Sequence, residues 1–156
     1  MLASLPMYDL DCIAEWTDAW WRGLRRAVQK AGIEAPHLTR SADRHAHWRA
    51  PDLLLSQICG YAIAHAYRGR LQPVATPCYA VPGCDGPRYR SVLLVREDSA
   101  AQTLADLRGS ACVCNESDSQ SGMNSLLRVT APLVRENRFF AGYRFTGAHA
   151  NSMAAV

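Results

Sequence analysis

Short apolar runs and segments with helical spacing alternate along this chain, and that alternation leaves few folds open to it. Met1–Tyr8 is an apolar run interrupted by Pro6, which reads as a strand ending in a loop. From Asp11 the period changes: Ile13, Trp16, Trp20, Leu24, Ala27 and Val28 recur at three- and four-residue steps, which predicts a helix burying that face and stopping at Gly32. Its charges run from acidic (Asp11, Glu15, Asp18) to basic (Arg22, Arg25, Arg26, Lys30), in the sense that complements the helix dipole.

The pattern then repeats. Ser41 is positioned to cap a short helix through Trp48, Pro51 ends it, and Asp52–Gln57 reads as a buried strand. Cys59–Tyr67 fits a helix, Leu71–Ala80 and Tyr89–Arg96 fit strands, and Pro82–Pro87 joins them as a turn. Ser99–Leu107 reads as a brief helix closed by Gly109, Ala111–Asn115 as a strand, and Ser121–Val134 as a helix interrupted at Pro132. Phe139–Phe145 alternates like a strand, and a helix begins at His149. Strands separated by helices predict an α/β fold with parallel pairing. The last element has scarcely begun at Val156, so the expectation is a fragment truncated at its C-terminal side.

Composition narrows the function. The 156 residues are 49% hydrophobic, enough to bury a core, and no apolar run approaches the roughly 20 residues of a membrane helix, so direct membrane insertion is not expected. Net charge is +3, and residues 1–97 and 98–156 each mix both signs, so the basic stripe of a nucleic-acid binder is missing and no nucleic-acid partner is expected. Six cysteines without CxxC pairs fit neither a disulfide scaffold nor a zinc ribbon, and they read as small buried hydrophobes in a reducing compartment. Met1–Asp9 lacks the features of a secretory signal.

In an open α/β sheet, ligands bind beyond the carboxyl ends of the strands, where loops feed helix starts. Ser119, Gln120, Ser121 and Gly122 follow the strand Ala111–Asn115 and open a helix, bringing hydroxyls and unpaired N–H groups together beside a glycine that lets a ligand approach. An ordinary N-cap uses the same residue types. Ser56 and Gln57 repeat the geometry after the second strand, with Gly60 close behind, and His149 follows Thr146–Gly147 at a third junction. His45 and His47 sit two apart on a short helix, point in different directions and read as surface residues. Cys112 and Cys114 share one strand face; core packing explains them better than a soft metal held with His149, so no metal or cofactor is expected. GxSxG, HExxH and P-loop motifs are missing, and no nucleophile–base–acid set can be assembled.

Met1–Tyr8, Asp52–Gln57, GPRYRSVLLVR at Gly86–Arg96, SDSQSG at Ser117–Gly122 and TGAH at Thr146–His149 stand in an order and at spacings that resemble the phosphate/phosphonate-type solute-binding proteins of ABC importers. The resemblance implies the type 2 periplasmic-binding fold, two α/β lobes that close around a ligand on a hinge. Residues 1–97 would form most of lobe one, and residues 98–156 an incomplete lobe two. It implies a small oxyanion ligand held by Ser119, Gln120, Ser121, Gly122, Tyr89 and His149, with Ser56 and Gln57 at the lobe-one strand end and Tyr8 in the first loop. Gln120 stands where relatives commonly have threonine, and Ser56 where phosphonate binders often have an aromatic residue. An ABC permease partner, no catalysis and a periplasmic address follow from the resemblance; without a signal sequence, the alternative address is the cytoplasm. Two other readings stay open: a thiamine-pyrimidine-synthase-like enzyme of the same fold, using the cysteines and His149, and a ligand-sensing module.

Overall fold

Leu2–Ser4 form the first strand, β1, and the strand Leu53–Ser56, β2, pairs with it in parallel, matching Leu2 to Leu53, Ala3 to Leu55 and Ser4 to Ser56. A parallel pair needs a crossover, which here contains the helix α1 (Ala14–Lys30) and the short α2 (Arg44–Arg49). The computed structural model describes residues 1–41 and 43–156. They divide into two units: Met1–Cys59 with Gly69–Leu71, and Gly60–Arg68 with Gln72–Val156.

In the first unit Ala3, Leu5 and Trp21 make the core, with Leu24, Leu38 and Leu55 packed against them. The helix is where the spacing predicts, but its buried face is turned. Thr17 and Trp21 are inside and Leu24 and Val28 are half-buried, while Trp16 is 71% and Trp20 39% exposed. Trp20 and Trp21 are adjacent, so the hydrophobic pattern alone offers either ring to the core. The ring that goes in finds a partner for its N–H: the Trp21 indole donates to the Pro36 carbonyl at 3.3 Å, and Arg25 Nε donates to the Ala35 carbonyl at 2.8 Å.

α2 is capped by Asp43, whose Oδ1 accepts from the Ala46 N–H at 3.1 Å, and not by Ser41. Ser41 Oγ instead accepts from the Asp43 N–H at 3.2 Å. His47 is not a surface residue: it is 4% exposed, whereas His45 is half-buried with its ring edge against Trp48. A six-residue helix laid against β2 has one inward face, and His47 and Trp48 occupy it.

The second unit begins with α3 (Gly60–Ala64), shorter than the apolar spacing predicts. Its sheet is the parallel pair β3 (Ala111–Cys114) and β4 (Gly142–Phe145), with Cys112 opposite Tyr143 and Cys114 opposite Phe145. Between them runs a helical stretch: a wide turn at Gln120–Asn124, α4 (Ser125–Thr130), and a tight turn at Ala131–Leu133 that contains Pro132. The helix α5 (His149–Ala154) follows β4. Cys114, Leu126, Phe139 and Phe140 form the core, joined by Leu104, Leu107, Cys112, Met123 and Leu133.

Two expected strands do not form. Leu71–Ala80 and Tyr89–Arg96 adopt no strand, and Val92, Leu93, Leu94 and Val95 are 69%, 51%, 54% and 43% exposed. An apolar run of valines and leucines becomes a strand only when a neighbour completes its ladder, and no described residue pairs with this one. The turn between them does form, closed by reciprocal 3.0 Å bonds between Asp85 and Arg88. Ser99–Leu107 supplies only a tight turn at Leu104–Leu107, boxed by Thr103 and Asp106. The Phe139–Phe145 run enters its strand late, at Gly142, because Phe139 and Phe140 are consecutive and both buried, which a strand facing one core does not permit.

Candidate functional site

Because β3 and β4 are parallel and in register, their carboxyl ends lie together and the loops after them begin side by side. The ladder continues past both strands: the Thr146 N–H donates to the Cys114 carbonyl at 3.0 Å, and the Gly147 N–H to the Asn115 carbonyl at 2.8 Å. Gly147, at φ +80°, makes the turn into α5 that an L side chain would resist. Thr146 fixes the loop, its hydroxyl meeting Ser152 Oγ at 2.7 Å and the Ala148 carbonyl at 3.0 Å.

After β3 the chain reaches Ser119, which is 9% exposed and whose Oγ accepts from the Gly122 N–H at 3.2 Å. Two bonds hold the turn beyond it open. The Asn124 N–H reaches back five residues to the Ser119 carbonyl at 3.0 Å, and Ser125 Oγ donates to the Gln120 carbonyl at 2.6 Å. Wide turns of this kind interrupt α-helices frequently at functional sites. The N–H groups at such a helix start have no carbonyl a turn behind them to accept their bonds, which leaves them for a ligand or water.

The two helix starts converge on a single contact: Ser121 Oγ lies 3.3 Å from His149 Nε2. Ser91 adds a third strand of chain, its hydroxyl donating to the Ser121 carbonyl at 2.6 Å, and Tyr89, two residues before it, is 51% exposed. Ser119, Gln120, Ser121, Gly122 and His149 therefore gather in the second unit. The ensemble offers hydroxyls, backbone N–H groups and one imidazole, a donor-rich set suited to an anion. The acidic residues of the loop, Glu116 and Asp118, precede the turn, and Asp118 is exposed to solvent, which screens it.

Tyr8, Ser56 and Gln57 belong to the first unit. Tyr8 is 41% exposed. Ser56 Oγ meets Ser4 Oγ at 2.7 Å and accepts from the Trp48 indole N–H at 3.2 Å, and that same N–H also reaches the Gln57 carbonyl at 3.1 Å. Ser56→Ala would strand the Ser4 hydroxyl, whose residue is 1% exposed, and is expected to cost about 1–3 kcal/mol in urea denaturation.

Cys112 and Cys114 do share a face, with sulfurs 3.7 Å apart, but His149 meets Ser121 rather than this pair. Among the described residues no three or more His, Cys, Asp or Glu side chains are grouped to hold a metal. Burial, and then the neighbouring Cys114, push the Cys112 thiol up to about 12, so it stays protonated at neutral pH. Iodoacetamide at pH 8 is therefore expected to label the exposed Cys12 and Cys78 ahead of Cys112; preferential labelling of Cys112 by mass spectrometry would contradict that assignment.

Asn115 and Ser91, which meet the candidate residues, are not singled out by the sequence pattern as contact residues. The first carries a readable signal, a polar residue ending an apolar strand. Ser91 carries none, since its role depends on a contact 30 residues away.

The loops after β3 and β4 thus meet at the carboxyl end of a parallel pair, with Ser119–Gly122 and His149 brought together there. Residues 51–156 match the family described as ABC transporter, phosphonate, periplasmic substrate-binding protein, and the chain belongs to that family. The match runs from β2 through α5 and so takes in every candidate residue except Tyr8. No curated protein matches the chain. The family serves transport as a periplasmic solute-binding component, and among the described residues no helix is long and apolar enough to cross a membrane.

Proposed function

We propose that the chain binds a phosphate-, phosphite- or phosphonate-type oxyanion at the paired helix starts of its second unit and presents it to an ABC permease. The observation that carries this reading is the 3.3 Å approach of Ser121 Oγ to His149 Nε2, which brings a hydroxyl and an imidazole from two different loops to one place. The N–H groups of Gln120 and Ser121 and the Ser119 and Ser121 hydroxyls would share the anion's oxygens, His149 would add a donor or a positive charge, and Gly122 would let the oxyanion approach the main chain. Tyr89 would close one side. In the family's two-lobe fold, residues 1–97, which include Tyr8, Ser56 and Gln57, would form most of one lobe and residues 98–156 part of the other, with closure around the ligand creating the surface a permease reads. Catalysis by Cys112 is not favoured, because a protonated thiol is a poor nucleophile.

Thermal melts with phosphite, phosphate and methylphosphonate test the reading. A ligand at 100 times its Kd stabilises the fold by about 2.7 kcal/mol, a shift of several degrees. A shift with one of these anions is the expected result; no shift with any of them at millimolar concentration would overturn the reading.

A further inference from the structure

Asn115 ends β3 and is 9% exposed, yet its Oδ1 is buried without a hydrogen-bond partner. Buried amide carbonyls are nearly always paired, so one left unpaired calls for a physical explanation. Its neighbour identifies what that is. A Cβ built on Gly122 would stand 2.2 Å from Asn115 Oδ1 and 3.2 Å from Ser119 Oγ, so the amide is pressed against the glycine's main chain and no side chain fits between them. The same residue's backbone carbonyl accepts from the Gly147 N–H at 2.8 Å. Asn115 thus touches the turn before α4 with its side chain and the loop before α5 with its main chain.

Resting on the oxyanion reading above, we infer that Asn115 is the positioning residue of the cradle: its amide wedges the Gln120–Asn124 turn into its wide form and so aims the Gln120 and Ser121 donors toward His149. A turn of ordinary α-helical width would bond the Met123 N–H to the Ser119 carbonyl; the bond comes instead from Asn124 at 3.0 Å. The room that this extra residue opens is where the Asn115 amide sits, and Gly122 is the residue type that tolerates the approach.

The experiment compares wild type, Asn115→Ala, Gly122→Ala, the double variant and Ser121→Asp. It measures phosphite, phosphate and methylphosphonate binding by calorimetry, and hydrogen exchange at the Asn124 and Val113 amides without ligand. Gly122→Ala is expected to weaken binding roughly tenfold to a hundredfold, as overpacking by one methyl does. The double variant should return to within about threefold of Asn115→Ala, since removing the amide frees the space. Asn115→Ala should speed exchange at Asn124 about tenfold while Val113, inside β3, is unchanged, which separates loss of the turn from loss of the fold. Wild-type binding by Gly122→Ala, a double variant no better than Gly122→Ala, or unchanged Asn124 exchange in Asn115→Ala would each overturn the inference. Anion binding that is lost in Ser121→Asp but untouched by changes at 115 and 122 would sink this inference alone. If wild type binds none of the anions while Asn124 exchange responds as expected, the oxyanion reading fails and the wedge stands.

Discussion

Ser121→Asp is expected to weaken oxyanion binding by a hundredfold to a thousandfold while leaving the fold as stable as before. The new carboxylate would sit where the Ser121 hydroxyl now lies, 3.3 Å from His149 Nε2 and at the helix start. Two unit charges about 4 Å apart near a protein surface repel by about 4 kcal/mol at an effective dielectric of about 20. The donated hydrogen bond is lost as well. The carboxylate would take the anion's place against both the N–H groups and His149, so the variant carries its own competitor. An acidic residue in the first turn of a helix is favourable, so the melting temperature of the unliganded variant should hold or rise. Ser121→Ala separates the contributions: it removes one hydrogen bond to a charged group, about 1.5–3 kcal/mol, with no repulsion. Equal affinities for the aspartate variant and wild type would place the anion elsewhere.

The contrast between what was legible in the chain and what was not follows from the range of the forces involved. α1, β2, β3 and the helical stretch after Ser119 come from near-neighbour patterns of apolar spacing, Gly and Pro, and they appear close to their expected positions. The candidate residues Ser119–Gly122 and His149 lie at strand-to-helix junctions, which are local in the same sense, and the parallel pair brings them together. What failed depends on distant partners. Tyr89–Arg96 has a strand's composition, but a strand is made by its neighbour, and its apolar side chains remain exposed. The buried face of α1 is turned by about one residue from the one its spacing predicts, because Trp20 and Trp21 look alike to any count of hydrophobicity and the Trp21 indole meets the distant Pro36 carbonyl. His47 is a polar residue that the chain's pattern places outside, and it is buried because its face of α2 lies against β2. The family resemblance read from Asp52–Gln57, Ser117–Gly122 and Thr146–His149 agrees with the family found over residues 51–156. The order of motifs along a chain survives where individual elements are ambiguous.

Phe140→Ala carries the largest expected loss of stability in the second unit. Phe140 is 6% exposed and sits edge-on to Phe139 with ring centroids 4.8 Å apart and to Tyr143 at 5.8 Å, in the cluster that also contains Cys114 and Leu126. Truncating a buried phenylalanine to alanine typically costs about 3–5 kcal/mol, the transfer term plus a cavity that incompletely collapses. Two edge-to-face contacts go with it, each worth about 0.5–1.5 kcal/mol beyond the area buried. The consequence reaches the site because of which elements this cluster joins: Cys114 is the last residue of β3, Leu126 lies in the first turn of α4, and Phe140 leads into β4. A two-stranded sheet is marginal by itself and relies on the helix packed against it, so loosening this core should separate the loops that bring Ser121 and His149 together. Urea denaturation of Phe140→Ala should show the loss, and Phe140→Leu, which keeps most of the volume, should recover more than half of it. Near-wild-type stability in Phe140→Ala would mean that the cluster does not hold β3, α4 and β4 together, and the placement of the cradle would need another cause.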